Sequence, residues 1–148
     1  MELNLPKRNF NIKKINGAVC IFDELRQKFV ALTPEEWVRQ HFVAFLIEDK
    51  HFPRGLMNNE ISLVQNGLKR RCDTLVADAY GKPLVIVEYK APMVEITQKV
   101  FSQIERYNNV LRAKYLIVSN GMSHFCCKIN YEENNFTFLS EIPEYSEL

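Results

Sequence analysis

Residues 60–90, EISLVQNGLKRRCDTLVADAYGKPLVIVEYK, decide the fold. Glu60 to Gln65 and Leu68 to about Tyr80 are β-prone runs on either side of Asn66-Gly67, a dipeptide that readily takes the positive φ values of a two-residue hairpin turn. Gly81-Lys82-Pro83 then leads into Leu84 to Lys90. The stretch predicts a three-stranded meander.

The flanking segments predict what covers it. Thr33, Pro34 and Glu36 have the spacing of a helix N-terminus: an N-cap hydroxyl, a proline at the first helical position and a glutamate completing a capping box. That helix is expected from Pro34 to about Lys50, with Trp37, Val38, His41, Phe42, Phe45 and Leu46 as its apolar stripe. After Ala91-Pro92, apolar residues at 96, 100, 104, 107 and 111 predict a second amphipathic helix over Val94 to Leu111. Tyr115 to Val118 reads as a buried strand, and His124 to Ile129 with Asn135 to Leu139 as a closing hairpin. Ala18 to Phe22 and Lys28 to Leu32 read as another, around Asp23 to Gln27.

The expected class is therefore α/β (α+β): a mixed β-sheet with a meander flanked by helices, and extra N-terminal and C-terminal β-hairpins. Residues 1–32 are expected to be a β appendage of the same domain whose body is 33–148.

The 148 residues suffice for one core, and 47% hydrophobic with 25% charged residues excludes a disordered chain. No apolar stretch approaches the ~20 residues of a membrane span. Without a secretory signal pattern, a cytoplasmic location is expected. Cys20, Cys72, Cys126 and Cys127 include no CxxC pair and read as small buried hydrophobes. A net charge of +1 gives no global attraction to nucleic acid, so that case rests on local clusters such as Lys69-Arg70-Arg71, Lys99, Arg106, Arg112 and Lys114. No GxxxxGK[ST] motif is present, so no nucleotide cofactor is expected.

Polar residues interrupt the strands in three places. Asp73 lies within the second strand, and Glu88 and Lys90 end the third, two apart and so on one face. A two-residue Asn66-Gly67 loop pairs Gln65 with Leu68 and sets Glu60 opposite Asp73. If Gly81-Lys82 is also a two-residue loop, Asp73 lies opposite Lys90; a three-residue loop without a bulge turns Asp73 to the other face. Clustered carboxylates repel unless a cation offsets them. Mg²⁺ suits such oxygens, taking one or two carboxylates together with waters and substrate phosphate, with Mn²⁺ as a substitute. A neighbouring lysine can orient water and offset charge on a phosphorane.

Asp73 followed by Glu88-Tyr89-Lys90 resembles the Asp…(Asp/Glu)-X-Lys signature of the PD-(D/E)XK nucleases. Thr33 to Gln40, Glu60, Lys69 to Asp73, Glu88 to Pro92 and Gln103 to Tyr107 resemble, more narrowly, the N-terminal nuclease domain of type I restriction enzyme R (HsdR-like) subunits. The resemblance covers about Leu32 to Asn120, with Cys72 where the strict pattern has proline. It implies a restriction endonuclease-like core, with Asp73, Glu88 and the Tyr89 carbonyl holding Mg²⁺ and Lys90 serving the attacking water. Glu60 and Gln103 are then supporting residues, Lys69, Arg71, Lys99 and Tyr107 meet nucleic acid, and the partners are DNA and a second copy or restriction-system subunits. The alternative is a catalytically silent nucleic-acid-binding or assembly module of the same fold.

Each residue also has a plain structural reading. Glu88 and Lys90 can be a solvated strand end, Glu60 an exposed strand-initiating acid, and Glu36 a cap. Gln103, Tyr107 and His41 can simply pack, and His124 lacks metal-ligand spacing.

Overall fold

The computed structural model covers residues 1–148 and describes every side chain except those of Leu63, Gln65, Arg70 and Tyr107. β1 (Ile12–Ile15), β2 (Ala18–Asp23) and β3 (Lys28–Ala31) form a separate antiparallel sheet. α1 (Pro34–Glu48) follows, then β4 (Met57–Gln65), β5 (Leu68–Ala77) and β6 (Pro83–Tyr89), the expected meander. α2 (Gln98–Leu111) crosses over to β7 (Tyr115–Ser119), which runs parallel to β6, and β8 (His124–Asn130) and β9 (Asn135–Leu139) complete a six-stranded sheet in sequence order.

The two helices cover opposite faces of this sheet. Val38, Phe42 and Leu46 of α1 pack on Val76, Val85, Val87 and Tyr89. Phe101 and Ile104 of α2 pack on Cys72, Ile86, Leu116, Val118 and Cys127. β6 and β7 thus lie between two cores, which is why both read as unbroken apolar runs rather than alternating ones.

Several boundaries moved for physical reasons. Asn16 and Gly17 both have positive φ and make a tight turn of the same kind as Asn66-Gly67, adding β1 to the N-terminal hairpin. The C-terminal hairpin pairs with β7 and forms the sheet's far edge. The capping box at α1 is half closed: the Thr33 hydroxyl accepts the Glu36 N–H at 3.0 Å, while the Glu36 carboxylate turns to Arg26, Arg39 and Gln40. Cys72, Cys126 and Cys127 are buried free thiols, and Cys20, on the small sheet, is only half-buried. Among the described residues, no helix is long and apolar enough to cross a membrane.

Candidate active site

β4 and β5 pair as expected at the turn, with Gln65 opposite Leu68. Asn59 pairs with Thr74 and Ile61 with Cys72, which brackets Glu60 and Asp73, yet those two are not themselves a ladder pair. Glu60 has φ 60°, a left-handed conformation that costs a non-glycine residue roughly 1–2 kcal/mol. The consequence is a change of face. Cys72 and Ile61 pack in the α2-side core, whereas two residues along each strand Thr74 and Asn59 bond to each other and to Tyr89 and Asp23 beneath α1. Strict alternation would keep each pair on one face, so the strands turn over at Glu60 and Asp73.

The β5–β6 register corrects the expected partner of Asp73. A longer connection and a register shift between Val76 and Ala77 place Thr74 opposite Val87, so that Asp73 counts opposite Glu88 rather than Lys90. Asp73 lies just beyond the last of these pairs, and its Oδ2 accepts the Tyr89 N–H at 2.9 Å. The Lys90 N–H, one residue on, donates to the Ser119 carbonyl of β7. Consecutive amides on a strand point to opposite sides, so the carboxylate of Asp73 takes over an amide that faces β5. The Tyr89 side chain is sealed in the core, its hydroxyl 2.9 Å from that of Thr74, and burial pushes its phenol far above the usual range. Glu88 and Lys90 are half-buried. Burial first, and then the charges of Glu88 and Asp73, push the Cys72 thiol up.

The residue that gathers the acids is Arg39 of α1. Its side chain is only 5% exposed; Nη2 lies 2.5 Å from Glu60 Oε1 and 4.0 Å from Asp73 Oδ1, Nη1 donates to the Asp73 carbonyl at 3.2 Å, and Nε lies 3.2 Å from Glu36 Oε2. Burial would lower its pKa, but Glu36, Glu60 and Asp73 hold it above the ordinary guanidinium value. Glu60 is used on both oxygens, since Oε2 pairs with Arg71 at 3.1 Å. This makes Glu60 a bridge between two arginines rather than an available ligand. Asp73 keeps a raised pKa: burial dominates, Glu35 and Glu60 add to it, and the Tyr89 amide and Arg39 only partly oppose it. A carboxylate whose charge is under-compensated by its surroundings is a place where a cation is favoured.

Other expected site residues are dispersed. Gln103 and Lys99 lie on the exposed face of α2, while Lys69 and Arg71 are exposed on β5. The side chain of Tyr107 is outside the described residues. Among the described residues, no three His, Cys, Asp or Glu side chains are gathered so as to hold a metal by themselves. Two carboxylates and a carbonyl nevertheless fit a cation that keeps several waters. Arg39 had a legible signal in Glu36, Arg39 and Gln40, which at i, i+3 and i+4 place polar groups, two of them charged, on one stripe of a helix otherwise rich in apolar residues.

The model of the family described as Type I restriction enzyme R protein N terminus (HSDR_N) matches residues 34–143, from the first turn of α1 to beyond β9. The chain belongs to that family. A fragment described as an HsdR subunit of a type I restriction enzyme from Vibrio vulnificus YJ016 shares the fold, with TM-score 0.56 and 21% identity over 79% of this chain. The match spans 24% of that longer chain. No curated protein matches. The family match takes in α1 and the whole six-stranded sheet and leaves out β1 to β3, so membership attaches to the part of the chain that carries Asp73, Glu88 and Lys90.

Proposed function

We propose that this restriction R-protein N-terminal domain hydrolyses DNA phosphodiester bonds with Mg²⁺ as cofactor. The observation that carries the reading is the junction of β5 and β6, where Asp73 is half-buried, under-compensated and opposite Glu88, with Lys90 two residues further on the same strand.

Asp73, Glu88 and the Tyr89 carbonyl would hold the cation, since the N–H and C=O of a strand residue point to the same side and the Tyr89 N–H already faces Asp73. Bound there, Mg²⁺ would lower the pKa of a coordinated water and neutralise phosphate oxygens. Lys90 orients the attacking water and offsets the charge that develops on phosphorus. Arg39 holds the Asp73 backbone while leaving its carboxylate under-compensated. Lys69, Arg71 and Lys99 meet backbone phosphates, so binding weakens as salt rises. Gln103, exposed on α2, is a substrate-side contact. DNA and the other subunits of a restriction system are the partners this reading implies.

The test is cleavage of labelled single-stranded, duplex and branched DNA in Mg²⁺, Mn²⁺ or EDTA, with Lys90→Ala in parallel. Metal-dependent products that vanish in the variant are expected. Salt-dependent DNA binding with no cleavage of any substrate would instead identify a silent binding module.

A further inference from the structure

The N-terminal sheet lies before the residues that the family model matches, yet two chains of polar contacts run from it into the site. Both begin at Asp23, the last residue of β2, whose side chain is fully buried. In the first chain, Asp23 Oδ2 meets Arg26 Nε at 2.6 Å, Arg26 Nη2 meets Glu36 Oε1 at 2.9 Å, and Glu36 Oε2 faces Arg39, which holds Glu60 and the Asp73 carbonyl. In the second, Asn59 donates to both Asp23 oxygens at 3.2 and 3.0 Å, and Asn59 Oδ1 accepts the Thr74 hydroxyl at 2.6 Å. Having spent its proton, Thr74 Oγ1 accepts from the Tyr89 hydroxyl. One chain ends on Asp73 and Glu60; the other ends on Tyr89, between Glu88 and Lys90.

We propose that the sheet of residues 12–31 is a positioning component of the active site, acting through Asp23 and Arg26 on Asp73 and on the Glu88–Lys90 strand end. This rests on the nuclease reading for its catalytic consequence but not for its geometry. An apolar contact would attach the small sheet to α1 at least as firmly, because buried ion pairs are seldom stability's best solution. What the ionic chain adds is direction, since each carboxylate oxygen is met by a charged nitrogen at a fixed place, a more geometrically demanding contact than apolar packing. It also counters strain: the left-handed Glu60 is held from one side by Arg39 and flanked by Asn59, which Asp23 anchors. Asp23 is suited to the anchor. Burial alone would raise its pKa, but the Arg26 amide, Asn59 and the Arg26 guanidinium outweigh burial and hold it below the usual range.

Arg26 touches no candidate site residue directly and is partly exposed, so Arg26→Met should fold. The full chain would be measured in two ways. Amide hydrogen exchange reads the Tyr89 N–H, the donor to Asp73, against the Ile117 N–H of β7 as a control for global stability. Arg26→Met is expected to speed Tyr89 exchange by about tenfold with Ile117 much less affected, and Arg26→Lys to restore most of the protection. With duplex DNA and Mg²⁺, kcat should fall while KM stays within about twofold, again rescued by lysine. Unchanged Tyr89 exchange in the folded Arg26→Met variant overturns the proposal, as does equal acceleration at Tyr89 and Ile117. Should Arg26→Met not fold, Asp23→Asn is read by the same criteria. Selective Tyr89 exchange in a protein without cleavage would uphold the positioning role and sink the nuclease reading alone.

Discussion

α1 and α2 cover opposite faces of one sheet, but they bury different things. α2 buries Phe101, Ile104 and Asn108 and leaves Lys99 and Gln103 in solvent, as an amphipathic surface helix does. α1 buries Glu36, Arg39, Gln40 and His41 alongside Val38, Phe42 and Leu46. A helix that takes two opposite charges out of water bears a desolvation cost that α2 avoids, and the cost falls where the strands carry Glu60 and Asp73. The contrast teaches that Glu60 and Asp73 are organised from the α1 side, whereas the motif as read from sequence looked to Gln103 on α2.

Four experiments would break or sharpen that contrast. Lys90→Ala should reduce metal-dependent cleavage by roughly 10²–10⁴-fold in a gel assay, with unfolding little changed. Arg39→Met should leave Glu36 and Glu60 without their shared cation and cost about 3–5 kcal/mol by urea unfolding; a loss below 1 kcal/mol, on the order of a surface change, would mean α1's charges are incidental. Mg²⁺ at ten times its dissociation constant should stabilise the protein by about 1.4 kcal/mol, an effect removed by EDTA. Gln103→Ala on α2 should shift stability by no more than about 0.5 kcal/mol and act, if at all, on KM.

Much of this was legible in the chain. Asn66-Gly67 fixed the β4–β5 register because both residues accept positive φ, and the Tyr115 to Val118 run announced a buried strand. Asp73, Glu88 and Lys90 stood out as charge inside β-prone runs. The partner of Asp73 was not legible, because it depended on the register shift at Val76/Ala77 and a five-residue connection that Gly81-Lys82-Pro83 does not specify. Nor was the left-handed Glu60, since glutamate has no local preference for that conformation and takes it here between Arg39 and Arg71. Glu36 was read as a cap by its spacing, which is a local rule; its carboxylate instead answers to Arg26, ten residues away in sequence in the turn between β2 and β3.

Asp23 and Asp73 respond to pH with opposite signs. Asp23 has a lowered pKa, so its stabilisation is present above the ordinary carboxylate range and is lost as pH falls through its folded value. Asp73 has a raised pKa, so between its ordinary and folded values the native state binds more protons than the unfolded chain. Stability therefore falls as pH rises through that window and stays lowered at neutral pH. The most direct test of the account is to follow Asp73→Asn at pH 7 by thermal unfolding and by Mg²⁺-dependent DNA cleavage side by side. The account predicts an inactive protein that is more stable than the wild type, with the stability gap closing as pH is lowered toward 4. A variant that still cleaves, or one that is less stable at neutral pH, would contradict it.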